Sequence, residues 1–362
     1  MPDKLKDTLF SHQALGQFAA AIQEAYPPFD DGLFLRLVFD EAWTERELKE
    51  RLSHITECLH QTLPDDYGQA VDILSRAIPA AKGFLPMVCS DYVACYGLEH
   101  WDVSLAALAH FTRYGSSEFA IRPFIAHDAA RAMAVLAVWA TDENEHVRRL
   151  ASEGCRPRLP WGLMLAELKR DPTPILPILE LLKGDESEYV RKSVANNLNE
   201  ISKDHPHLAL QVAGRWYGHN PRTDWIVRHA LRTLLKAGNP EALALVGVAP
   251  DSRLEVSGFQ LDRSTVPVGS SVGYSFVVKV SGAEPCLVRL ELRVEYARPG
   301  GKLSRKVFAI RTVSLEPGGH VFRRRLSLAN GSTRQHFPGP HRLVLVANGS
   351  VVGEAVVEVV AG

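Results

Sequence analysis

The stretch His146–Trp161, HVRRLASEGCRPRLPW, decides how the first two thirds of the chain is read. Val147, Leu150 and Ala151 fall at i, i+3 and i+4, which predicts an amphipathic helix with those residues facing the core. Arg148, Arg149, Ser152 and Glu153 lie largely off that face. Arg156-Pro157-Arg158 then ends the helix, and Trp161 follows Pro160 directly. The same opening returns as YVRKSVANNL from Tyr189 and IVRHALRTLL from Ile226. The Val-Arg pairs start at Val147, Val190 and Val227, spacings of 43 and 37 residues, with Asp142, Asp185 and Asp224 just ahead of them. A period near forty marks HEAT-type helical pairs, units that bury their apolar faces only by stacking on one another.

Working outward, the helical period runs from Lys4 to about Gly238. It is broken at Pro27-Pro28, Pro64-Asp65, Gly115-Ser116, Pro157 to Pro160 and His205-Pro206. A helix is expected to begin near Ser116-Ser117, with a serine cap and Glu118 in its first turn. Near Pro250 the period changes from helical to two. Leu254–Val256, Val272–Val280, Leu287–Tyr296, Lys306–Val313, Val321–Leu328, Arg342–Ala347 and Val351–Val360 read as strands joined by Gly- and Pro-rich turns. Asn348-Gly349 between alternating runs is a hairpin signal, because both turn positions need positive φ. The fold class expected is an all-α HEAT-like repeat solenoid, residues 1–248, followed by an all-β immunoglobulin-like sandwich, residues 249–362. Neither a tryptophan nor a second cysteine accompanies Cys286 in the sandwich, so the Cys…Trp…Cys core of antibody domains is absent.

The net charge of −1 conceals an asymmetry: residues 1–145 carry −11, residues 146–236 carry +5 and residues 251–362 carry +6. Such a distribution keeps nucleic acid open as a partner where the whole-chain balance would dismiss it. No apolar run approaches a membrane span, and MPDKLKDTLF lacks the apolar core of a secretory signal. Five scattered cysteines fit a reducing compartment, so a cytoplasmic protein is expected. The sequons at Asn330 and Asn348 are accordingly read as turns.

The usual chemistry-bearing motifs are missing: no Walker loop, GxGxxG, GxSxG, HExxH or paired-cysteine site occurs. No metal or cofactor is expected. What remains is carboxylates and aromatics beside basic helices: Glu118-Phe119, Arg149 with Glu153 at i, i+4, Trp161, and Glu200. Taken alone these residues fit either a site or a surface ion pair beside a core tryptophan.

Several uncommon strings carry a resemblance. SSEFAIRPF (116–124), HVRRLASEG with RPRLPW, and YVRKSVANNLNEISKDHP (189–206) resemble the AlkC branch of the DNA alkylation repair glycosylases. YPPFDDGLF, ELKERLSHI and LPDDY (63–67) are also similar, so the likeness spans roughly residues 1–240. One AlkC subgroup has an immunoglobulin-like extension. The resemblance implies hydrolysis of the N-glycosidic bond of 3-methyladenine and 3-methylcytosine in double-stranded DNA, without full extrusion of the base. A cationic base is already a good leaving group, so negative charge near the sugar and a positioned water suffice. The resemblance puts Glu118 and Phe119 at the lesion, Glu153 facing the sugar, and Trp161 on the sugar or backbone. Glu200 matches a position where relatives are expected to carry aspartate, which leaves its role open. Arg149, Arg156, Arg158, Arg191, Lys192 and Lys203 are assigned to phosphates. A monomer is expected.

Two competing readings stand beside this one: a non-catalytic HEAT scaffold with an interaction module, and a helical DNA-binding protein without catalysis. In the sandwich, Arg323-Arg324-Arg325 lies on one strand, so the three side chains must alternate between faces. Arg324 is expected at an edge or a strand end. Arg298 to Lys306 and Gly331 to Pro340 are the loops expected to reach DNA.

Overall fold

The computed structural model describes residues 5–248, 250–331 and 335–361. Its tertiary contacts divide the chain into two compact units, Met1–Ala209 with Gly218–Ala230, and Leu210–Tyr217 with Leu231–Gly362. The first unit is helical. Its helices include α1 (Leu48–Thr62), α2 (Ile121–His127), α3 (Glu145–Gly154), α4 (Leu176–Leu182), α5 (Glu188–Asp204) and α6 (Pro221–Ala230). None of the described helices is long and apolar enough to cross a membrane.

Helix α3 starts where its sequence says it should. The Asn144 side chain accepts from the His146 amide at 2.9 Å, and Glu145 sits in the first turn where a carboxylate suits the helix dipole. Val147, Leu150 and Ala151 are completely buried. The valines of all three Val-Arg pairs, Val147, Val190 and Val227, are equally buried, so the repeat is a repeat of core positions. The arginine of each of the first two pairs folds back on the loop ahead of its own helix. Arg148 Nη1 donates to the carbonyls of Asp142 and Glu143, and Arg191 Nη1 to those of Asp185 and Glu186. Arg148 also grips Asp185 of the next repeat through two bonds of 2.7 and 3.1 Å.

The helix expected from Ser116-Ser117 begins later, at Ile121. Ser117 is buried, with its hydroxyl donating to the Leu108 carbonyl and pairing with Ser90, so it does not cap. Pro123, which has no N–H, falls instead in the first turn of α2, where that N–H would lack a partner anyway.

The second unit carries the sandwich, preceded in sequence by α7 (Arg232–Ala237) and α8 (Pro240–Leu245). Strands β1 (Leu254–Leu261), β3 (Ser271–Val280) and β6 (Gly318–Ser327) form one sheet in the order β1-β3-β6. The other has the order β2-β8-β7-β4-β5, with β2 (Thr265–Pro267), β4 (Cys286–Ala297), β5 (Leu303–Leu315), β7 (Gly339–Ala347) and β8 (Ser350–Val360). All seven expected strands are present. The eighth, β2, is three residues long and pairs parallel with β8 at the sheet edge, too short to show a period of two. Inward residues such as Phe276, Val278, Leu292, Val294, Phe322 and Leu345 fill the space between the sheets.

Asn348 and Gly349 both have positive φ, 43° and 79°, and turn β7 into β8 as the Asn-Gly pair requires. The Asn348 amide is buried, accepting from the Arg289 amide at 2.8 Å and donating to the Leu287 carbonyl at 3.2 Å. A Cβ on Gly349 would lie 2.4 Å from Leu243 Cδ1, so this turn seats directly on α8. That contact explains why α7 and α8 group with the strands, although the change from helix to strand falls between Leu245 and Leu254. In the Gly331–Pro340 loop, residues 332–334 lie outside the described residues.

Candidate active site

Helices α3 and α5 approach closely because their facing residues are small and polar. The Ser152 hydroxyl donates to that of Ser193 at 2.7 Å, and Asn197 Nδ2 donates to the Ser152 carbonyl at 2.7 Å. This seam buries Ser152 and Glu153, which the period of α3 alone had put off the core face, and with them Arg156 just past the helix end. The correction has a simple cause: the outward side of α3 is covered by α5.

Along this seam runs a chain of alternating charges. Glu118, in the turn before α2, receives Arg149 Nη1 and the Ser116 hydroxyl on one oxygen. Arg149 Nη2 lies 3.6 Å from Glu153. One oxygen of Glu153 also receives Arg156 Nη1, and the other accepts from the Ser193 hydroxyl at 2.7 Å. Arg156 Nη2 reaches Glu200 at 3.6 Å, and Lys203 Nζ meets the same carboxylate at 2.6 Å. Arg158 closes the series on Asp204 at 2.7 Å, with Glu200 at 3.9 Å. Burial of so many charges is tolerable only because each has a partner of opposite sign. Burial acts to lower the Arg149 pKa, yet Glu153 and Glu118 outweigh it and hold it above the ordinary value. The Arg149 guanidinium also lies over the Tyr189 ring, 5.0 Å from its centroid.

The structure therefore brings together Glu118, Arg149, Glu153, Arg156, Arg158, Glu200 and Lys203. It does not bring Arg191 or Lys192 to them. Arg191 serves the loop before α5, and the exposed Lys192 pairs with Glu188 on its own helix at 2.7 Å.

Trp161 stands apart from ordinary core tryptophans. Its φ is +67°, a left-handed conformation that costs an L-residue about 1–2 kcal/mol. The residue is 67% exposed. Gly162 beside it is close enough to Phe119 that an added Cβ would lie 3.2 Å from the ring, so the two aromatics share one neighbourhood. Two residues that the sequence did not single out hold this loop. Arg122 is fully buried and fans out to three carbonyls, Leu163 at 2.5 Å, Gly154 at 2.8 Å and Pro157 at 3.3 Å. Burial lowers its pKa to about 10. Lys49 of α1 donates to the Trp161 carbonyl at 2.8 Å. Nothing in IRPF or ELKERL signals these roles, since both act on backbone carbonyls distant in sequence.

A family profile described as "DNA alkylation repair enzyme" matches residues 105–234, the segment that contains the charge chain. A second, for the C-terminal Ig-like domain of the uncharacterised protein YhaZ, matches residues 255–361. The YhaZ protein of Bacillus subtilis is 42% identical over 344 residues, 95% of this chain and 96% of that one. A solved Pseudomonas fluorescens protein, described as the alkylpurine DNA glycosylase AlkC bound to DNA with an abasic-site analogue, superposes with a TM-score of 0.94. It is 38% identical and covers 99% of this chain and 100% of its own. The chain belongs to the AlkC-type DNA alkylation repair proteins with a C-terminal Ig-like domain. Its AlkC-type fold is thus a HEAT-like helical repeat followed by an all-β Ig-like sandwich. The AlkC-type strings SSEFAIRPF, HVRRLASEG and YVRKSVANNLNE are the segments that meet in the charge chain.

Proposed function

We propose that this protein is a DNA glycosylase that releases cationic N3-alkylated bases, 3-methyladenine and 3-methylcytosine, from double-stranded DNA. The observation that carries the reading is the Glu118–Arg149–Glu153–Arg156–Glu200 chain beside an exposed Trp161. In this reaction the C1′–N bond breaks with its electron pair going to the base, which leaves neutral. Water bonds to C1′ and gives up a proton, leaving an abasic deoxyribose. The transition state moves positive charge from the base onto the sugar, where a fixed carboxylate is worth most.

Glu118 and Glu153 take that part, with the proton of the attacking water passing to a carboxylate or to solvent. Phe119 and Trp161 contact the lesion and sugar, where an aromatic face attracts a cationic base more than a neutral one. Glu200, held by Lys203 and Arg156, positions those cations. Arg158 and Lys203, the more exposed cations of the charge series, reach backbone phosphates, and the proposed catalytic groups all lie within the glycosylase domain, residues 1–248. An open helical face with an exposed indole suits a lesion addressed without full base extrusion. The deciding experiment incubates the full chain with duplex DNA treated with a methylating agent. Free 3-methyladenine, 3-methylcytosine and alkali-labile abasic sites should appear, and their absence would refute the assignment.

A further inference from the structure

The sandwich contains a depression with no counterpart in the charge chain. On the outer face of the three-stranded sheet, Gln260 of β1, Ser275 of β3 and Arg323 of β6 lie in one row, and Gly273 pairs with Arg325 in the next. Small residues on the central strand leave a trough of about 630 Å³. Asp262 overhangs its floor: its carboxylate accepts from the Gly273 amide at 2.9 Å, and a Cβ on Gly273 would strike it at 2.6 Å. One wall is thus an acid with Gln260, and the other is Arg323 and Arg325 on an edge strand.

These arginines differ from the ion-paired ones of the sandwich. Arg253, Arg289, Arg305 and Arg342 each hold a carboxylate within 3 Å. Arg323, Arg324 and Arg325 are exposed, and among the described residues none has a carboxylate within 4 Å. Arg324 turns back to its neighbour's carbonyl at 2.8 Å, while strand alternation puts Arg323 and Arg325 together on the outer face. Two adjacent guanidiniums present a forked donor array suited to a phosphate. The volume falls within the range of small-ligand sites. Asp262 opposes a polyanion but accepts hydroxyl or N–H donors.

We propose that this trough binds a phosphate monoester of nucleotide size, its phosphate on Arg323 and Arg325 and its hydrogen-bond donors toward Asp262 and Gln260. The site is separate from the reaction proposed above. The test uses the full chain in calorimetric titrations with deoxyadenosine 5′-monophosphate, inorganic phosphate and an unmodified duplex. The nucleotide should bind with a Kd on the order of 0.1–1 mM. R323A/R325A should weaken it by at least ~10-fold. D262N keeps the oxygen that accepts from Gly273 but removes the charge. It should weaken the nucleotide while tightening inorganic phosphate.

Base release from methylated duplex, measured on the same variants, should stay at the wild-type rate. Loss of that activity in the parent protein would refute the glycosylase reading and leave the trough standing. No nucleotide binding up to about 10 mM, or equal binding by R323A/R325A, overturns the proposal. Weaker duplex binding with an unchanged nucleotide titration assigns the arginines to DNA backbone and also overturns it. Should the alanine variant melt early, R323K/R325K carries the test: retained nucleotide binding supports the site, and its loss at an unchanged melting temperature overturns it.

Discussion

Two basic regions have nearly equal net charge, +5 over residues 146–236 and +6 over residues 251–362, yet the cations across α3 and α5 and those of β6 are used in opposite ways. Across α3 and α5, arginines alternate with carboxylates until each charge is compensated inside the protein. On β6, three arginines stand without a carboxylate within 4 Å among the described residues. Net charge alone cannot distinguish the two. The first arrangement fixes geometry, because removing its central buried member, Glu153, takes a partner from both Arg149 and Arg156. The second leaves cations free for something outside the fold.

The largest expected effect lies in the compensated region. Glu153→Gln keeps the shape of the side chain but removes the charge between Arg149 and Arg156. Base release should fall by about 10²–10³-fold, the scale of losing one electrostatic partner of a transition state. DNA affinity should change little. Excision at the wild-type rate in single-turnover assays would take Glu153 off the catalytic list, and Glu118→Gln is the parallel test.

A stability measurement sharpens the comparison further. Arg122→Ala strands three carbonyls in a buried site and should cost about 3 kcal/mol, read as a shift in the urea midpoint. Arg323→Ala, on the exposed strand, should stay within about 0.5 kcal/mol of wild type. Equal effects would erase the distinction between the two regions.

The smallest effect concerns acid. The Arg158 hydrogen bond holds the Asp204 pKa below its ordinary value. A depressed folded-state pKa means the contribution is complete above the unfolded value of about 3.9 and fades as pH falls through the lower folded value. Because Asp204 is partly exposed, the increment should be under about 1 kcal/mol. Stability curves for wild type and Arg158→Met should converge at the acid end; a constant gap down to the lowest pH would show that the pair contributes nothing through charge.

Much of the fold was legible because it rests on local periods. The Val-Arg repeat gave core positions, and Asn348-Gly349 gave a hairpin with the φ angles that pair demands. The strand β2 was not legible, since three residues carry no period. Ser117 illustrates a different limit: its hydroxyl was satisfied across the fold by Leu108 and Ser90 rather than locally. At the site, residues of one helix face were readable, but Ser193, Asn197 and Lys49 enter from elsewhere in the chain. The bonds of Arg191 to two loop carbonyls are likewise not legible, because they depend on where the preceding turn folds.

The left-handed backbone at Trp161 has a consequence for how this position can vary. Folding alone favours glycine or asparagine there, because an L-residue with a branched or bulky side chain meets its own carbonyl at such a φ. An indole at this place, mostly in solvent, gains little from burial to set against that strain. Thermal hardiness and biological use therefore select different alphabets at one codon. Natural variation toward glycine would signal a chain kept for its fold after its working surface had been given up.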